Sequence, residues 1–183
     1  AAFIGNSMGA GNLMRIAAAR PVIFPIRAAI VAGGGGYSPN NEWRQPLLDY
    51  DCTADAMREV LQALFDDPKW AADDSYVARR QEMALLPGAW ECTAAARFRS
   101  PANKQAERFG QADETEYESI TVPTLVVAGA NDKLRDPGYT DAFVPRIPDC
   151  ELHLFEACGH CPHIEHPERF NQVAMAFLDR LLG

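Results

Sequence analysis

The chain has 183 residues, 48% of them apolar and 23% charged, the balance of a globular protein of one or two domains and not of a disordered tail. Its 17 Lys and Arg stand against 25 Asp and Glu, a net charge of −8 that argues against a phosphate-binding face and so against nucleic acid. No apolar run reaches the about 20 residues of a membrane span. The opening Ala1-Ala2-Phe3-Ile4-Gly5 reads neither as a signal peptide nor as a natural start. Cysteines stand at 52, 92, 150, 158 and 161. An odd number in a chain that is not Cys-dense predicts no disulfide framework and a reducing, cytoplasmic setting.

In chain order, Ala2 to Gly5 reads as a strand and Met8 to Arg20 as a helix, with Leu13, Ile16 and Ala17 at helical spacing and Pro21 ending the run. Gly9 and Gly11 are expected where that helix approaches a strand closely. Ile26 to Ala32 suits a parallel strand buried on both faces. Gly33 to Gly36 follows it without the Gly-Lys-Ser/Thr ending of a phosphate loop. From Tyr37 to Ser119 no strand-like run appears. Thr53 is placed to cap a helix carrying Ala56, Val60, Leu61, Leu64 and Phe65, and Ser75 to Leu86, Ala89 to Phe98 and Ala102 to Phe109 read as further helices. Asp113 to Glu118 reads as a solvated connection. Pro123 to Gly129 is a second buried strand, Gly138 to Arg146 a short helix, Glu151 to Phe155 a strand and Ala157 to His166 a loop. Pro167 opens a final helix whose apolar face holds Phe170, Val173, Ala174, Phe177, Leu178 and Leu181. The order predicts an α/β fold, a parallel sheet with helices on both faces, divided into a core over 1–36, a helical insertion over 37–119 and a core over 120–183.

Gly5-Asn6-Ser7-Met8-Gly9 fits G-x-S-x-G between a strand and a helix. A tight turn there strains Ser7 and lifts its hydroxyl above the sheet edge, with flanking glycines avoiding collision with strand and helix. The helix N-terminus behind Ser7 offers free N–H groups, and that of Met8 would face an oxyanion. A serine hydroxyl needs a base and the base an orienting acid. Asp132, just past a buried strand, and His160, after the next strand in Cys158-Gly159-His160, complete the chain order Ser, Asp, His at three strand ends.

These residues resemble the alpha/beta-hydrolase superfamily from the nucleophile strand to the C-terminal helix. Within it, the pentapeptide, Cys158-Gly159-His160 and Glu165-His166-Pro167-Glu168-Arg169-Phe170-Asn171 are similar to the meta-cleavage-product hydrolases, which cut a carbon–carbon bond in ring-fission products of aromatic degradation. Val77 to Glu82 with Pro87-Gly88 is similar to that group's cap. The resemblance implies a cap arginine at Arg80, with Arg79 as fallback, meeting the substrate's acidic end, as a bidentate guanidinium suits a carboxylate. Two positions depart from the pattern: Cys161 stands where that family carries Trp after the histidine, and Ala10 where it carries a second Gly. The resemblance thus implies Arg80 and Cys161 as substrate-binding positions. Carboxylesterase-type chemistry and a non-catalytic module of the same fold are the alternatives.

Cys158-Gly159-His160-Cys161 also matches a disulfide-isomerase tetrapeptide, but too few residues follow it for the rest of a thioredoxin domain. Cys158, His160, Cys161, His163 and His166 crowd one loop with zinc-ligand chemistry, yet ligands this close on one short loop rarely close a tetrahedron. No metal or organic cofactor is expected, and a small-molecule substrate is the expected partner. The resemblance also implies roughly half a sheet before the nucleophile, where this sequence has six residues. The chain accordingly reads as the C-terminal part of an N-terminally truncated hydrolase, whose open strand edges predict poor solubility or pairing with another chain, a homo-oligomer included.

Overall fold

The computed structural model describes residues 1–23, 25–89, 91–92 and 109–182. Four strands, β1 (Ala2–Asn6), β2 (Ala28–Ala32), β3 (Thr124–Gly129) and β4 (Cys150–Phe155), form one parallel sheet in the order β1-β2-β3-β4. The central β2 and β3 are buried at every residue, as expected of Ala/Ile/Val-rich strands covered on both faces. Alternation sorts their side chains. Ala29, Val31 and Val126 face α1 (Met8–Ala18), Tyr117, Phe143 and Ile147. Ala28, Ile30, Leu125 and Val127 face Phe170, Ala174 and Phe177 of the last helix.

Between β2 and β3 lie α2 (Gln45–Leu48), α3 (Ala54–Leu64), α4 (Lys69–Ala72) and α5 (Asp74–Ala84). They build a third apolar cluster, in which Tyr50, Met57, Leu61, Phe65, Tyr76 and Val77 meet Cys161 of the histidine loop. Thr53 caps α3 by accepting from the Ala56 amide, as its position predicts, and Asp73 does the same for α5 through Ser75 and Tyr76. Trp70 packs inside this cluster, its ring 5.1 Å from Phe65 and 5.0 Å from Tyr76. Trp43 does not join a core. It lies exposed, with the Lys133 ammonium 4.8 Å above its ring. Trp90 and nearly all of the helices expected at 89–98 and 102–109 lie outside the described residues.

Several boundaries shift for local reasons. α1 ends at Ala18, because the residues before Pro21 leave the helical region and Ala19 is already extended. The helix expected over Gly138–Arg146 is instead two 3₁₀ turns, Tyr139–Ala142 and Val144–Arg146, since Pro145 cannot donate and restricts Val144. The loop after β4 contains one helical turn, α6 (Pro162–Glu165), before α7 (Pro167–Leu182). Asp113–Glu118 is not simply a solvated connection. The carboxylate of Asp113 accepts from Thr115 and from the hydroxyl of the buried Tyr117, which in turn accepts from the Gly36 amide at 2.7 Å.

Candidate active site

The first piece of the site is the turn from β1 to α1. Ser7 takes φ 53° and ψ −115°, a region that side-chain-bearing residues avoid, and its amide is held by the Ala32 carbonyl at 2.9 Å. The turn is tight because a side chain at Gly5 would stand 2.6 Å from the Gly9 carbonyl. The motif's second glycine is a correction to the expectation from sequence. A side chain at Gly9 would meet nothing within 4 Å, and the same holds for Gly11. The close approach of α1 to the sheet is made by Ala10, which is wholly buried.

The second piece is the end of β3. Asp132 is buried, with Oδ1 accepting from the Leu134 amide at 2.9 Å. The third is the loop after β4. The imidazole of His160, 2% exposed, has Nδ1 2.7 Å from Asp132 Oδ2 and Nε2 2.7 Å from Ser7 Oγ. The three residues singled out by order along the chain thus converge, each from the carboxyl end of a different strand. Met8 opens α1 directly behind Ser7, where first-turn amides lack partners within the helix.

Residues without a sequence signature complete the arrangement. Asn6 Nδ2 donates to the Ala32 carbonyl at 3.1 Å and to the His160 carbonyl at 3.4 Å. The glycine run serves packing: a side chain at Gly33 would stand 2.4 Å from the His160 carbonyl, and one at Gly34 2.6 Å from the Ser7 carbonyl. Arg44 is buried behind the acid loop and donates to the carbonyls of Pro39 and Leu134, burial lowering its pKa to about 10. Only the carbonyl contacts of the folded chain reveal these positions, so no side-chain pattern could have found them.

Arg80 is half-buried on α5 and close enough to Cys161 to act on its thiol, whereas Arg79 is exposed and stacks on Tyr76. Cys161 is buried among the α3–α5 residues, and burial pushes its thiol up to about 12. The Cys158 thiol is raised further, again chiefly by burial. Thiols held protonated in this way are poor at disulfide exchange. Among the described residues, no three His, Cys, Asp or Glu side chains gather so that they could hold a metal ion. No helix among them is long and apolar enough to cross a membrane. A cavity of about 530 Å³ opens beside Asp132, lined by Trp43, Lys133, Arg135, Tyr139 and Leu154; neither Ser7 nor His160 lines it.

Residues 1–173 match the profile of the alpha/beta hydrolase family. The chain belongs to that family. This alpha/beta hydrolase chain is 28% identical over 176 residues to 2-hydroxymuconate semialdehyde hydrolase of Pseudomonas putida, covering 96% of itself and 61% of that relative. It is 29% identical over 181 residues to 2-hydroxy-6-oxo-6-(2'-aminophenyl)hexa-2,4-dienoic acid hydrolase of Metapseudomonas resinovorans, covering 97% and 59%. It therefore spans about three fifths of the length of these curated relatives. In three dimensions it is similar to a meta-cleavage product hydrolase from Pseudomonas fluorescens IP01, with a TM-score of 0.82 at 23% identity over 98% of this chain and 65% of that one. That likeness extends to the α/β architecture.

Proposed function

We propose that the protein is a serine-triad hydrolase acting on a carbonyl compound, most like a meta-cleavage-product hydrolase that cuts a carbon–carbon bond. The observation that carries this reading is the unbroken relay from Asp132 through His160 to Ser7, with both links at 2.7 Å. Asp132 holds the proton on Nδ1 and leaves Nε2 free to accept. His160 takes a proton from Ser7 Oγ or from a water. Ser7 attacks the carbonyl, and the oxyanion rests on the Met8 amide plus one further donor. A proton from His160 goes to the departing carbon or oxygen. Water, activated by His160, then cleaves the acyl–serine bond and frees the acid. In the carbon–carbon reading an enol-to-keto step precedes the attack and makes the bond cleavable. The helices between β2 and β3 act as a cap, with Arg80 meeting an acidic group on the substrate.

An ester-cleaving reading uses the same atoms, and the small side chain of Cys161 beside His160 favours it. The two are separated by a panel of ring-fission dienoates and p-nitrophenyl esters of varied chain length. Ser7 is expected to be trapped by an organophosphonate, and His160→Ala is expected to abolish turnover, a loss of at least about 10³-fold. A His160→Ala chain that keeps most of its rate would sink the assignment.

A further inference from the structure

The C-terminal end of α3 is gripped by both loops that carry the acid and the base. From the acid loop, Lys133 Nζ donates to the Gln62 carbonyl at 2.8 Å and the Phe65 carbonyl at 3.3 Å, and Asn131 Nδ2 donates to Asp66 Oδ2 at 3.0 Å. From the base loop, the His160 amide donates to the Leu64 carbonyl at 2.8 Å. Gly159 lies so close that a side chain there would stand 2.7 Å from the same carbonyl. Glu165 closes the arrangement. Its Oε1 accepts from the Gly159 amide and its Oε2 from the Asp66 amide, both at 2.8 Å. One carboxylate therefore spans the residue before His160 and the residue just past the helix's C-cap.

We propose that Glu165 is a positioning residue, setting the reach of His160 to Ser7 by fastening the histidine loop to the end of α3. The inference rests on reading Ser7 and His160 as nucleophile and base. A carboxylate is the group this position requires. Two amide donors approach it from different elements, and each needs an oxygen of its own. Glutamine fills the same volume but offers one oxygen, so one of the two amides would face an NH₂ group. The Ser7–His160 hydrogen bond is short and specific, and a displacement of about 1 Å in such a contact can lower a rate by about 10²-fold.

The test is the reaction of the full chain with a p-nitrophenyl alkylphosphonate, measured to saturation at a temperature where every variant is folded. Glu165→Gln is expected to lower the maximal labelling rate constant by about tenfold and to leave the half-saturating concentration within about twofold. Glu165→Asp keeps the charge but cannot reach both amides, and the same slowing is expected of it. A role confined to stability would lower the melting temperature and leave the rate constant of the folded chain unchanged, and that result overturns the inference. A change confined to the half-saturating concentration, or unfolding of both variants, overturns it too. A parent chain that does not label at Ser7 would remove the nucleophile reading itself, whereas a reactive parent with equally reactive variants removes this inference alone.

Discussion

At Gly5 the demand for glycine is steric: an added methyl would meet the Gly9 carbonyl at 2.6 Å, and neither backbone can retreat without moving Ser7. Gly9 carries no such demand. Gly5→Ala is expected to destabilise the chain by about 2 kcal/mol or more, as overpacking against a fixed backbone does. Gly9→Ala, in the first turn of α1, should be neutral or stabilising by up to about 1 kcal/mol. Urea unfolding of the two variants side by side checks the contrast, and equal losses would contradict it. Of the site, Ser7, Asp132 and His160 were legible because their residue types, order and strand-end positions are themselves the signal. Asn6, Gly33, Lys133 and Glu165 were not. They act on backbone atoms of distant segments, and a carbonyl leaves no trace in the identity of the residue that owns it.

Strands and helices with a two-sided or one-sided apolar pattern were readable to within a few residues. β3 and the cap of α3 follow directly from Leu125–Val127 and Thr53. The segment before β3 was not readable, because its acidic composition hides one buried aromatic. Asp113 accepts from Thr115 and Tyr117, and burial raises the Tyr117 hydroxyl to about 12, with the bond to Asp113 adding to the rise. Burial pushes the Asp113 carboxyl up, but the hydrogen bonds from Tyr117 and Thr115 outweigh it and hold the group below its ordinary 3.8. A carboxyl depressed in the folded state stabilises that state above its unfolded pKa. The contribution fades as the pH falls through the lower folded value. Asp113→Asn should therefore cost no more than about 1 kcal/mol at about pH 7, the group being part-exposed, and the difference from the parent should narrow as the pH falls below 3.8. Chemical denaturation across that range measures it; a constant difference would mean that the charge has no part in the effect.

Across the whole molecule, β1 and β4 are the outer strands of the described sheet. Among the described strands β1 pairs with β2, and Ile4 on it is 59% exposed. On β4, Leu152 and Leu154 are exposed as well. Exposed apolar side chains on an outer strand recruit other surfaces. The chain is expected to self-associate, and Leu154→Lys, which places a charge on β4, should shift it towards the monomer. Light scattering after size-exclusion chromatography reads both, and a strictly monomeric parent chain would rule the expectation out.

The grip on α3 has a consequence for inheritance. What the acid and base loops seize are the carbonyls of Gln62, Leu64 and Phe65 and the amide of Asp66, groups that every residue but proline supplies in full. The backbone part of the attachment is blind to side chains there, and the Asp66 carboxylate, which accepts from Asn131, is the one side chain it reads. The exposed positions of the helices between β2 and β3 can therefore change while the distances between Ser7, His160 and Asp132 stay where the sheet and its loops set them. A graft of foreign helices onto this sheet needs to preserve the path of the chain at 62–66 and, of its lettering there, chiefly Phe65 and Asp66.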